Sequence, residues 1–240
     1  GDTVHGAGLM YQLGSFSVAM SGDGRSIAGG TPFTGNTQRG IVQTYRLNSL
    51  GVWDTLGGFL MGANNFDQIG RSIAFNYNGN ILAVSAENTS WGNQAGYIKV
   101  FELDSINNMW VQVGMTLQGL GVGEKFGHQI DLNDEGDVLV VGIPFRGPSL
   151  KGAVQVFRRD STNNWVQQGS TLDRGLGYIQ FGNTVSMNSE GNMFVAGSWG
   201  SANAYKAYVY KWNNTTLNWS QFGPIINPAA SWREWCYDVE

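Results

Sequence analysis

The chain has 240 residues, 42% hydrophobic and only 13% charged, with 35 glycines and nine tryptophans, a balance that fits one large all-β domain or two smaller ones and excludes long amphipathic helices. A net charge of −4, a pI near 5.1 and the lack of any Lys/Arg run leave no electrostatic footprint for nucleic acid. No apolar stretch approaches the roughly 18 residues of a membrane span and no signal peptide is visible, so membrane insertion is not expected; the single cysteine, Cys236, excludes an internal disulfide framework and is either an unpaired thiol or a bridge to a partner.

In chain order, one pattern recurs four times. FSVAMSGDGRSIAGGTP begins at Phe16, IGRSIAFNYNGNILAVSAE at Ile69, FGHQIDLNDEGDVLVVGIP at Phe126 and FGNTVSMNSEGNMFVAGSW at Phe181. Each copy is followed by a second block, GIVQTYRL, GYIKVFEL, GAVQVFRR or KAYVYKW, and then by a third anchored on Trp53, Trp110, Trp165 or Trp219. The turn glycines Gly24, Gly79, Gly136 and Gly191 are spaced at about 55 residues, within the range of propeller blades.

Each unit resolves into four strands. In the third copy HQIDLN alternates apolar and polar residues, with Ile130 and Leu132 on one face. DVLVVGIP is continuously apolar from Val138 to Val141, as in a strand buried on both faces. AVQVF and WVQQGSTL alternate again, and Gly, Asn, Ser or Pro fill the loops. The expected fold is all-β, a propeller of four-stranded antiparallel blades over residues 1–240, with repeats at about 13–68, 69–125, 126–180 and 181–234. Each repeated Trp opens a fourth strand, where packing against the next blade is expected rather than stacking on a sugar.

FG at the start, a turn of D/N/S-x-x-G type, an apolar strand ending in VGIP and then G-x-V-x-V-F resemble the FG-GAP repeat family, known from the propeller head of integrin α subunits. Phe126-Gly127 and Phe181-Gly182 match FG; Ile69-Gly70 and Leu13-Gly14 approximate it. Gly142-Ile143-Pro144 matches GAP best, whereas Ser85-Ala86-Glu87 and Gly197-Ser198-Trp199 depart from it. The resemblance spans essentially the whole chain and implies an extracellular or cell-surface propeller used in adhesion and ligand binding.

In the family's calcium-binding members the loop after the first strand resembles D-x-D/N-x-D-G-x-x-D, supplying the oxygen shell a hard cation needs. Asp131, Asn133 and Glu135 offer the start of such a loop, but its ninth position is Leu139, and the other copies reach Ile27, Leu82 and Phe194 there. The copies share instead a glycine and, three residues earlier, Ser21, Asn76, Asn133 or Asn188, which is what a tight hairpin needs. A turn is therefore expected rather than a calcium site, and no cofactor.

GLGVGEK at Gly119 to Lys125 lacks the P-loop spacing. His5 and His128 are too few for a histidine cluster, and His128 and Asp131 point to opposite sides of a strand, so no enzyme is expected. Sequons at Asn88, Asn213, Asn214 and Asn218 fit a secreted glycoprotein. The loops after the second strands carry Phe33, Arg39, Trp91, Phe145, Arg146, Lys151, Trp199 and Tyr205 as binding candidates. At the end of the chain, WCYDVE aligns with FGNTVS, so a further unit is expected to start at 235, either in a larger propeller of about seven blades or beyond a four-blade ring. The expected function is non-enzymatic protein contact, in adhesion or as a building block of a surface or filament assembly with copies of itself or other subunits; the alternative is a glycan-binding propeller.

Overall fold

The computed structural model describes residues 14–34, 36–87, 95–174, 179–200 and 205–227. These form four antiparallel sheets. Sheet 1 contains β1 (Ser17–Met20), β2 (Ser26–Thr31), β3 (Ile41–Leu47) and β4 (Trp53–Met61). Sheet 2 contains β5 (Ile69–Phe75), β6 (Ile81–Ala86), β7 (Tyr97–Asp104), β8 (Met109–Gln112) and β9 (Leu117–Gln118). Sheet 3 contains β10 (Ile130–Leu132), β11 (Val138–Ile143), β12 (Ala153–Arg159), β13 (Trp165–Gln167) and β14 (Leu172–Asp173). Sheet 4 contains β15 (Thr184–Met187), β16 (Met193–Ser198), β17 (Lys206–Asn213) and β18 (Asn218–Gln221).

Each sheet is a meander in sequence order, because every pair of neighbouring strands is joined by a short connection. The expected single fourth strand holds in sheet 1, where left-handed Gly57 and Gly58 absorb a register shift opposite Gln43 and Thr44. In sheets 2 and 3 it is broken, so that β9 and β14 pair separately with β7 and β12 around the left-handed Gly114 and Gly169.

The apolar residues sort into three cores, one between each pair of successive sheets. Val42, Leu56, Ile73, Phe75, Leu82 and Trp110 fill the space between sheets 1 and 2. In β11, Leu139, Val141 and Ile143 face sheet 2, while Val138 and Val140 face sheet 4, where Phe181, Phe194, Tyr210 and Trp219 meet them. This is why β6 and β11 are buried at every position. In β16, by contrast, Met193 and Val195 stay half-exposed, because they face away from sheet 3.

The hairpin turns are closed by the shared Asn side chains. Asn133 Oδ1 accepts the amides of Asp137 (3.0 Å) and Val138 (2.8 Å), and Asn76 and Asn188 repeat the arrangement in their own turns. Successive turns are also joined: Asp23 N donates to Tyr77 O, Tyr77 N to Asp134 O and Asp134 N to Ser189 O, at 2.9–3.0 Å. Gly136, at φ +72°, does more than permit the turn, since a Cβ there would lie 2.9 Å from Ile81 of the preceding sheet. A Cβ on Gly24, at φ +69°, would have no described residue within 4 Å. Gly24→Ala is expected to cost about 1–2 kcal/mol for its left-handed backbone alone. Gly136→Ala should cost a further 1–3 kcal/mol or so through overpacking against Ile81. Urea melts of the two variants measure the difference, and equal losses would deny the close approach.

Candidate functional site

The first strands of successive sheets lie side by side, β1 by β5, β5 by β10 and β10 by β15. Side chains link them: Ser17 Oγ donates to Gly70 O at 2.7 Å, Ile130 N to Ser72 Oγ at 3.2 Å and Met187 N to Asp131 Oδ2 at 2.7 Å. At the end where these strands begin, a cleft of about 560 Å³ opens between all four sheets. Phe16, Arg71, His128 and Asn183 occupy the same place in their respective repeats, and all four line it. Phe145 and Trp199 join them from the loops after β11 and β16.

Behind the cleft lies Glu87, immediately after β6 and buried. Its carboxylate meets Arg71 Nε at 2.8 Å, Lys125 Nζ at 3.1 Å and His128 Nδ1 at 2.8 Å. Burial opposes its ionisation, but the His128 hydrogen bond and the neighbouring cations prevail and hold it down at about 2. Burial lowers the His128 pKa despite Glu87, so the neutral ring donates Nδ1–H to the carboxylate. The cations are braced from the other side: Arg71 lies over the Phe16 ring at 4.3 Å and Lys125 over Phe145 at 4.4 Å.

The loop residues singled out in the sequence do not form one surface. Phe145 and Trp199 reach the cleft, and exposed Phe33 packs edge-on against Phe16 at 5.4 Å. Arg146 and Lys151 line a separate recess of about 230 Å³ with Thr171 and Asp173. Arg39 is a clasp, donating from Nε to Gly62 O at 2.7 Å and from its terminal nitrogen to Ala63 O at 2.9 Å. Tyr205 is half-buried just before β17. Trp91, Asn88, His5, Cys236 and the expected unit from 235 lie outside the described residues.

Asp131, Asn133 and Glu135 do not converge. The Asp131 carboxylate accepts from Leu132 N, Met187 N and Ser186 Oγ, Asn133 serves its own turn, and Glu135 is exposed. Burial raises the Asp131 carboxyl to about 6. No group of three or more metal-ligating His, Cys, Asp or Glu side chains occurs among the described residues. Of the sequons, Asn214 is exposed, Asn213 caps the turn after β17, and Asn218 is engaged with Ser170 of sheet 3 through both amide atoms. No helix among the described residues is long and apolar enough to cross a membrane.

The fourth-strand tryptophans point the other way from the expected direction, onto the preceding sheet. Trp110, Trp165 and Trp219 are 7%, 8% and 4% exposed. Each covers a left-handed glycine of the sheet before it; a Cβ on Gly57, Gly114 or Gly169 would meet the indole at 2.3, 3.1 or 3.0 Å. Trp110 Nε1 also donates to Thr44 Oγ1, and Trp219 Nε1 to Gln168 O. Among the described residues this contact leaves two unmatched halves: Trp53 in sheet 1 is only half-buried, and Gly223 in sheet 4 has no described residue within 4 Å. Neither a protein-family model nor a curated protein matches the chain.

Proposed function

We propose that the chain is a non-enzymatic, propeller-type module whose sheets are successive blades, and that it acts by protein contact as a building block of an extracellular or cell-surface assembly, chiefly with further copies of itself. The unmatched halves of the inter-sheet contact carry this reading. The extracellular setting rests on the FG-GAP resemblance and the sequons.

On the outer face of sheet 1, Val18 and Met20 are 75% and 63% exposed and border an apolar recess with Ile27, Gly29 and Tyr45. Their counterparts in sheet 3 are Ile130, Leu132, Leu139, Val141 and Phe157, all buried against sheet 2. On the far face of sheet 4, Met193 and Val195 are half-exposed and Phe222 is exposed. A second copy placed there continues the internal contact, with its Trp53 over Gly223.

The inner end of the contact is complementary by exchange of bulk. Gly40, Gly96 and Gly152 lie against the backbone of Ile69, Phe126 and Phe181 of the following sheet. Sheet 4 has Tyr205 at that place, and sheet 1, counted back from its turn glycine, presents Gly14 where the others present Ile or Phe, one residue off the expected match of Leu13-Gly14 to Ile69-Gly70.

Light scattering across a range of protein concentrations tests the proposal. The wild type is expected to show species of at least twice the 26.1 kDa of one chain, and Val18→Glu or Trp53→Ala to return it to one chain with unchanged far-UV circular dichroism. A wild type that stays at one chain throughout would overturn it.

A further inference from the structure

The same molecule offers a second kind of surface, at the end where the first strands begin. Among the described residues, the lining of the central cleft includes Arg71, Lys125 and His128 but no carboxylate, since Glu87 stands behind them. With Glu87 ionised and His128 neutral, Arg71 and Lys125 leave a net positive charge at the cleft, in a chain whose overall charge is −4. An anion entering the cleft meets cations already held in place, so little side-chain freedom is lost on binding.

The rest of the lining is neutral and rich in hydrogen-bonding groups. Gln129 and Asn183 make no side-chain hydrogen bond among the described residues. Thr184 is 3% exposed, and its hydroxyl is buried with no partner among the described residues. A buried orphan hydroxyl is uncommon in a finished fold, because it forfeits its bonds to water. Thr184 belongs to the cleft wall, so a group bound in the cleft is a candidate for the missing partner. Trp199 adds an aromatic surface, and the volume of about 560 Å³ lies within the usual range of small-molecule sites.

We infer that the central cleft binds a carboxylated sugar, with the carboxylate against Arg71 and Lys125 and the hydroxyls against Thr184, Gln129 and Asn183. A carboxylate alone would use the cations and leave the Thr184 hydroxyl unsatisfied. A neutral sugar would leave the cations unused.

Calorimetric titration with sodium D-glucuronate, D-glucose and N-acetylglutamate tests each part. Glucuronate is expected to bind the wild type, and glucose more weakly by roughly tenfold or more, the worth of one charge-assisted hydrogen bond. Equal affinity for N-acetylglutamate would overturn the sugar assignment, and failure of glucuronate to bind would overturn the site. Thr184→Val removes a hydroxyl that has no protein partner, so it should leave the melting temperature unchanged or raised while weakening glucuronate roughly fivefold or more. Undiminished affinity in that variant would contradict the assignment. Arg71→Gln combined with Glu87→Gln removes the guanidinium without stranding the buried carboxylate; with Lys125 still in place it should weaken glucuronate roughly tenfold in a folded chain. None of these outcomes depends on whether the outer faces associate, because Trp53→Ala, which blocks that association, changes no residue that lines the cleft.

Discussion

Glu87→Gln is expected to lower the stability of the chain by about 3 kcal/mol at neutral pH, the lower end of what breaking a buried ion pair costs. Glu87 joins β5, β6 and the start of β10 through Arg71, Lys125 and His128. Without its charge, Arg71 and Lys125 repel one another across His128, and their partial exposure, 18% and 23% of each side chain, tempers the loss. The effect has a pH signature. Because the folded carboxyl titrates at about 2 instead of 4.5, its stabilisation is complete above pH 4.5 and disappears as pH falls toward 2. Denaturant unfolding of wild type and Glu87→Gln should therefore differ at pH 7 and converge near pH 2; a constant difference would mean that charge is not what the variant removes.

Asp131→Asn is expected to behave in the opposite sense. The folded carboxyl titrates at about 6 against an ordinary 3.8, so the folded state holds the proton more tightly. Stability from this group is present below pH 3.8 and is lost as pH rises toward 6. Relative to wild type, the variant should gain up to about 3 kcal/mol between pH 4 and pH 7, the free energy of a shift of that size. Asparagine keeps an oxygen for the Met187 amide, so the contact between sheets 3 and 4 is retained. Unfolding curves at the two pH values decide it, and a difference independent of pH would place the Asp131 titration elsewhere.

The repeat itself was legible in the sequence because strand periodicity, turn glycines and tryptophan spacing all follow from local geometry. It disclosed that Asn133 closes a hairpin and that Val138 to Val141 is buried on both sides. It could not disclose that Gly136 also lies against Ile81, or that Trp110 leans back onto Gly57, since both depend on how one sheet sits on another. The cleft was half legible. His128 and Trp199 were noticed singly, whereas Glu87 stood out only as a departure from Pro144 at the same place in the repeat. Arg71 and Asn183 drew no notice, though they replace one another and Phe16 at an otherwise regular position. Divergence among the copies at a position lining one shared cleft was the signal, and it acquires meaning only once the sheets are arranged.

The division of the apolar residues into three pairwise cores has a further consequence. Cohesion in such an array resides between nearest neighbours, as in a one-dimensional chain of coupled units, and no central volume has to be filled. Damage at one contact is felt by the two sheets that share it and passes no further. Arrays of this kind are ordinarily finished by polar caps, whereas sheets 1 and 4, among the described residues, expose Val18, Met20 and Phe222.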